Sequence, residues 1–307
     1  MEPATPTLGQ FTNWIPVEAR PRRGHLRLMG KTLLSIGHGY SARALARLLI
    51  AKGWTVIGTT RSPEKMHQLK AQGVEPLVWP GSPLSLGRAT HVLSSVAPDK
   101  NGDPVLSEVA DALQSANLEW VGYLSTIGVY GNRDGDWVDE TSELTPSTRR
   151  GKARVEAEAA WQALDLPLHI FRLAGIYGPG RGPFAKVQAG KARRIIKKGQ
   201  VFSRIHVDDI AQVLATSIAR PNPGAVYNVC DDDPAPPQDV IGYAAELLGL
   251  PLPEAIAFEG AELSPMARSF YAESKRVRND RIKAELGVKL RYPDYKSGLR
   301  GLLAHES

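Results

Sequence analysis

From residue 31 onward, short apolar runs alternate with segments whose apolar residues recur every three or four positions. Thr32–Ile36 is a continuous apolar run ending in glycine, the pattern of a strand buried on both faces. Ser41–Lys52 follows with helical spacing; Leu45, Leu48 and Leu49 share one face, and Gly53 sits where a helix end takes a left-handed turn. The same reading predicts strands at Trp54–Gly58, Val74–Val78, His91–Val96, Trp120–Ser125 and Leu168–Leu173. Helices are predicted between them at Pro63–Gln72, Asp103–Ala116 and Arg150–Leu164. The last of these carries Ala153, Ala157, Ala160, Trp161 and Leu164 on one stripe. After Leu173 the rhythm breaks into a glycine- and proline-rich loop over Gly175–Gly182. Helix Val207–Ile218 and strand Ala225–Cys230 resume it, and Asp231–Pro237 reads as a hinge. Val240–Leu248, Glu262–Phe270 and Val277–Leu286 are predicted helices.

Alternation of strands and helices predicts an α/β fold: a Rossmann-like, doubly wound parallel sheet with a smaller C-terminal substrate lobe. The expected division is a loose tail over 1–29, a dinucleotide-binding domain over 30–175 completed by 205–230, and a lobe from 176–204 and 231–307. The tail is rich in Pro, Arg and Thr and has no apolar stretch of signal-peptide length. No apolar run approaches the roughly 20 residues a membrane helix needs. With 307 residues, 42% hydrophobic and 23% charged, the chain reads as a globular protein with a sizeable core. The single cysteine, Cys230, excludes a disulfide framework and points to a reducing, cytoplasmic setting and a buried, inert thiol. No metal-ligand pattern stands out.

The first strand runs into Gly37-His38-Gly39-Tyr40-Ser41-Ala42, a G-x-G-x-x-A turn that opens a helix. Gly37 permits the tight turn, Gly39 lets backbone approach a pyrophosphate, and Ala42 lets helix and strand pack closely. Free N–H groups and the helix dipole then face the phosphates. A nicotinamide dinucleotide is therefore the expected cofactor, with Val96, after the fourth strand, beside it. The second strand ends in Thr59-Thr60-Arg61-Ser62 without the carboxylate that holds a ribose 2′-hydroxyl. Arg61, with Thr60 and Ser62, would grip a 2′-phosphate, so NADP is expected rather than NAD.

The net charge of +6 is modest, but Lys186–Arg204 holds seven basic residues and no acid. A solvated face and a subsite for an anionic substrate are both open readings of this segment, with Arg193 its candidate ligand. Aromatic residues are not interleaved with the charges, which argues against nucleic acid.

Several segments resemble the short-chain dehydrogenase/reductase superfamily, most closely its extended branch of epimerase/dehydratase proteins. They are Leu124–Gly131 with its Thr126…Val129-Tyr130-Gly131, Phe171–Gly180 with Arg172-Leu173…Tyr177-Gly178-Pro179-Gly180, Arg204–Ala211 with His206-Val207-Asp208-Asp209, and Val226–Val229. The resemblance runs over nearly the whole chain from Lys31 and implies an NAD(P)-dependent enzyme. It also implies a catalytic tyrosine and lysine four residues apart on the helix after Thr126. Glu158 aligns with the acid that follows the lysine, which places Arg154 at the lysine and Arg150 at the tyrosine position. Arg154 could keep the cationic role toward the cofactor ribose, while Arg150 cannot exchange the tyrosine's proton and would face a substrate anion. Of the usual catalytic groups only the hydroxyl, Thr126, remains; Tyr130, Tyr177 and Asp103 are the candidate replacements. Each also has a structural reading, packing for the tyrosines and helix capping for Asp103. Arg172 and Arg204 are candidates to line the substrate pocket. The expected function is an epimerase, dehydratase or reductase on a phosphate-bearing sugar or similar polar anion, with a homodimer the expected assembly. The alternative is a non-catalytic NADP-binding sensor or scaffold.

Overall fold

The computed structural model describes residues 30–306, apart from the side chains of Met266, His305 and Glu306. The tail expected over 1–29 lies outside the described residues. Seven strands form the central sheet: β1 (Thr32–Ile36), β2 (Thr55–Thr60), β3 (Glu75–Val78), β4 (His91–Ser94), β5 (Trp120–Thr126), β6 (Leu168–Leu173) and β7 (Val226–Val229). Their order is β7-β6-β5-β4-β1-β2-β3, and every pairing is parallel. The chain winds outward from β1 in one direction through β2 and β3, and in the other from β4. The switch point, where an open α/β sheet forms its ligand crevice, therefore lies at the C-terminal ends of β1 and β4.

The hydrophobic runs are continuous because both sheet faces are covered. Successive side chains alternate faces. Leu33 joins Leu45, Leu49, Trp120, Phe171 and Leu214 on one side, and Leu34 joins Val92, Val121, Tyr123, Trp161 and Ile170 on the other. Helices α1 (Tyr40–Ile50), α2 (Met66–Ala71), α3 (Leu106–Ser115), α4 (Arg149–Gln162), α5 (Phe184–Gln188) and α6 (Val207–Ala219) supply the covering layers and connections. Leu45 and Leu49 of α1 are buried as expected, whereas Leu48 is exposed beyond the edge of that face. On α4, Ala157 and Trp161 are buried, but Ala160 is exposed. The stripe is narrower than the alanine spacing suggested, because alanine fits either surface.

A third cluster, of Tyr177, Phe184, Val187, Val240, Ala244, Leu299 and Leu302, gathers the C-terminal segments. It is built on α5, α7 (Pro237–Leu247) and α10 (Tyr295–Glu306); α8 (Pro265–Phe270) and α9 (Asp280–Ala284) lie between them in the chain. Neither α5 nor α10 was predicted, since the glycine-rich surroundings of the one and the charged surface of the other mask their periodicity. The helix predicted from Val277 begins only at Asp280, and Arg276–Val277 is instead a short strand paired with Trp137–Val138. Similarly, Gly175–Tyr177 in the expected loop pairs with Arg204–His206. Both short pairings join segments distant in sequence, so no local signal announces them. Among the described residues no helix is long and apolar enough to cross a membrane.

The seat of α4 is tight. Thr148 caps the helix by accepting from the Gly151 N–H at 3.1 Å. A Cβ on Gly151 would stand 2.8 Å from the Gly128 carbonyl oxygen and 2.8 Å from Pro146. Alanine in place of a helical glycine ordinarily adds about 0.5–1 kcal/mol. Here the collision reverses that sign, as overpacking costs about 1–3 kcal/mol. Gly151→Ala should therefore lower the unfolding free energy in urea by about 1 kcal/mol or more. An unchanged or raised midpoint would mean that α4 can move off the Gly128 turn freely.

Candidate active site

The glycine turn is held from two sides. The Gly37 N–H donates to Thr59 Oγ1 at 2.7 Å, and Ser95 Oγ donates to the Gly37 carbonyl at 2.5 Å. Gly37 lies at φ +74°, and a Cβ there would press 3.0 Å from Val96. Only glycine meets both demands. Thr59 and Ser95 were not predicted as functional, because nothing local marks a hydroxyl aimed at another strand's loop. The Gly39 N–H closes onto the Gly37 carbonyl, and the His38 N–H is taken by Thr59. What remains open are the first N–H groups of α1, from Tyr40 to Ala42, which have no intrahelical acceptor. Gly39 begins this helix with no side-chain cap, and a Cβ on it would meet nothing nearer than the Gly37 oxygen at 3.6 Å. The turn thus leaves space and dipole where an anion would sit.

The predicted cofactor residues separate into those facing this opening and those behind it. Ser41 and Ala42 are buried against the sheet and contribute backbone. His38 turns inward: its ring bonds Ser35 Oγ at 2.9 Å, and burial lowers its pKa to about 4. It is a neutral packing residue, whose ring occupies the space that a side chain on Gly58 would need. Tyr40 spans to the following loop, its hydroxyl donating to the Pro179 carbonyl at 2.9 Å while Arg181 lies over its ring. Its side chain fastens that loop to the start of α1. At the end of β2, Thr60 Oγ1 exchanges hydrogen bonds with the Ser62 backbone. Arg61 beside them is exposed, with no protein partner recorded among the described residues.

Arg154 reaches inward from α4. Its Nη1 donates to Tyr123 Oη at 2.8 Å, to the Leu124 carbonyl at 2.9 Å and more weakly to the Val96 carbonyl at 3.4 Å. These partners lie on β5 and just past β4, so the guanidinium stands at the switch-point crevice. Thr126 accepts from the Gly128 N–H at 3.1 Å as the cap of the helical turn Ile127–Tyr130, which leaves its own O–H as a donor. Arg150, on the first turn of α4, is exposed and has no recorded partner.

The other proposed catalytic and substrate residues are committed elsewhere. Tyr130 is fully buried; its hydroxyl donates to Asn228 at 2.7 Å and accepts from Arg172 at 2.9 Å, and burial raises its pKa to about 12. Arg172 is an internal cation whose Nη2 meets Glu158 at 2.8 Å, with Ser125 also bonded to that carboxylate. Asp103 is a helix cap: one oxygen accepts from the Val105 and Leu106 N–H groups, the other from the Trp161 indole at 2.9 Å. Tyr177 turns into the C-terminal cluster, where burial holds its hydroxyl well above the ordinary tyrosine range. Arg204 donates to the carbonyls of Phe202 and Ala235 at 2.8 and 2.9 Å. Arg193 donates to the Gly190 and Ala192 carbonyls and approaches Glu254 at 3.6 Å on the surface. These arginines thus bind local carbonyls and carboxylates, which sequence spacing alone does not show.

Behind the loop that follows β5 lies a pair not predicted from sequence. Lys275 Nζ meets Glu273 at 2.6 Å, with side-chain exposures of only 7% and 12%. Glu273 also accepts from Ser147 Oγ, just ahead of α4, at 2.6 Å. Burial lowers the Lys275 pKa, with Glu273 opposing.

The fold and glycine turn define a dinucleotide-binding α/β protein. No protein-family model matches the chain. A solved structure of a functionally unknown conserved protein from Silicibacter pomeroyi DSS is 64% identical, with TM-score 0.88, over 90% of this chain and 99% of that one. A solved protein from methylobacillus flagellatus, assigned as an NAD-dependent epimerase/dehydratase, is 29% identical, with TM-score 0.69, over 91% and 99%. Protein YeeZ of Escherichia coli is 28% identical over 86% of this chain and 97% of its own length. A 3-diazoavenalumate denitrifying reductase from Streptomyces is 28% identical over 53% of this chain and 55% of its own. The chain is thus similar in sequence and fold to NAD-dependent epimerase/dehydratase-like proteins, the kind its motifs resemble.

Removing one member of the buried pair leaves the other charge unpaired. Glu158→Ala should cost about 3–5 kcal/mol of stability in denaturant unfolding. A loss below about 1 kcal/mol, the range of a surface pair, would contradict the burial seen here.

Proposed function

We propose that the chain binds NADP across the C-terminal ends of β1, β2 and β4 and acts as a reductase on a small anionic substrate. The observation that carries this reading is the crevice itself. Gly39 and the open N–H groups of α1 stand on one side, and the Arg154 guanidinium is held against the ends of β4 and β5 on the other. A bound nicotinamide would supply hydride chemistry there. Backbone N–H groups of Tyr40 to Ala42 would take the pyrophosphate, and Arg154 would donate its unused N–H groups to ribose hydroxyls.

Arg61 carries the choice of NADP. It is a free cation at the end of β2, where a carboxylate would serve NAD. Position 150 carries the choice of reaction. An epimerase or dehydratase must take a proton from a substrate hydroxyl, and arginine stays protonated at any ordinary pH. Hydride donation to an electrophilic acceptor needs no such base, and the resulting anion can take its proton from water. Thr126 keeps a hydroxyl donor for orienting the acceptor, and Arg150 adds positive charge at the mouth. Similarity to a reductase in Streptomyces supports the same direction and weighs against a cofactor-only sensor or scaffold. The buried thiol of Cys230 suits a reducing, cytoplasmic setting.

NADPH should bind more tightly than NADH, by roughly tenfold or more for a charge-assisted pair of ~1.5–3 kcal/mol, and Arg61→Ala should remove most of that difference. Equal binding of the two cofactors by the unaltered protein in titration calorimetry would rule out the 2′-phosphate role. On α4, Arg154→Ala should weaken NADPH binding about tenfold, whereas Arg150→Ala should change it less than twofold. The reverse ranking would withdraw the placement of the ribose beside Arg154.

A further inference from the structure

We propose that the Lys275 ammonium, positioned by Glu273, is a subsite for an anionic group of the substrate. The inference rests on the crevice being the cofactor site and adds a place for the substrate's anionic group.

The segment 273–277 is stitched to the loop after β5. Arg276–Val277 pairs with Trp137–Val138, the Arg133 and Gly135 N–H groups both donate to the Ser274 carbonyl, and the Ser274 N–H donates to Asn132. Glu273 reaches Ser147, and the same stretch of chain enters α4, whose Gly151 abuts the Gly128 turn capped by Thr126. The pair is therefore fastened to the chain that leads from the loop after β5 into the first turn of α4.

Burial of this pair calls for an explanation. Lysine is almost never fully buried unless paired, and a buried pair recovers its desolvation cost only when its remaining donors are satisfied. Most other ion pairs of the described residues are partly or largely exposed; only Arg172–Glu158 is buried more deeply. Arg172 uses all three of its nitrogens on protein partners. Lys275 has three N–H donors, and one recorded bond, to Glu273. One neighbour is similarly incomplete: Arg133 Nε is a buried donor without a partner. Two cations, Arg133 and Lys275, stand against the one carboxylate of Glu273, and Glu273 is already satisfied by Ser147 and Lys275. This cluster has a surplus of positive charge and of unused donors, which an anion complements. The basic segment Lys186–Arg204 shows no such surplus where Arg193 and Arg204 bind carbonyls.

The test uses the intact protein saturated with NADPH, titrated with malonate and with inorganic phosphate at constant ionic strength. At least one of these anions should bind one per chain in calorimetry. Lys275→Gln should weaken that binding at least tenfold, and Lys275→Arg should keep it within about threefold. Glu273→Gln retains a hydrogen-bond partner but removes the competing charge, so it should tighten binding at least threefold. That variant keeps the test decisive if Lys275→Gln fails to fold by circular dichroism. Separate NADPH titrations of each variant read the cofactor site on its own, so failure there is distinguishable from failure here. Absence of binding by both anions, wild-type affinity in Lys275→Gln, or unchanged or weaker binding in Glu273→Gln would each overturn the proposal and leave the pair as a structural staple.

Discussion

The buried contact between Glu158 on α4 and Arg172 on β6 is what the rest of the site depends on. Ser125 on β5 joins the same carboxylate, and Tyr130 and Asn228 complete the far side of the guanidinium. One helix is thereby pinned to two strands and to the turn that follows β5. Because the charges are almost fully enclosed, their geometry cannot relax without leaving one of them unpaired. That fixes the rotation of α4, and with it the direction in which Arg154 and Arg150 point. Gly151 adds a steric limit from the other end, where no side chain fits between the helix and Gly128.

The opposite wall of the crevice is organised by hydroxyls rather than charge. Thr59 and Ser95, from β2 and the end of β4, hold the two ends of the Gly37 peptide. Tyr40 ties the start of α1 to the loop at Pro179. Among the described residues, the helix N–H groups, the outer face of Arg154 and the Thr126 hydroxyl keep free donors between the two walls. Such a set favours binding a phosphate-rich cofactor and donating hydrogen bonds, and it lacks a general base at position 150. The proposed role in hydride delivery rests on that missing base.

The sequence by itself determined the fold class, the succession of the main strands along the chain and the glycine turn. These depend on local, repeated features: continuous apolar runs that need cover on both faces, helical spacing, and a glycine that must adopt a positive φ. It also placed Arg61 at a strand end and Arg154 on the inner side of α4, since a strand end and a four-residue helical step are local geometry. What it could not determine is which polar side chains are already satisfied. Tyr130, Arg172, Asp103, Arg204 and His38 read as site residues by type and position, yet each is consumed by partners 2 to 98 residues away in sequence. Conversely, Lys275 and Glu273 carry no local signal, because their burial arises from a pairing of Arg276–Val277 with Trp137–Val138 across the chain. Whether a charged side chain is a ligand group or a structural one is decided by long-range packing, which sets its dielectric surroundings and the hydrogen bonds left over; only the tertiary structure contains that information.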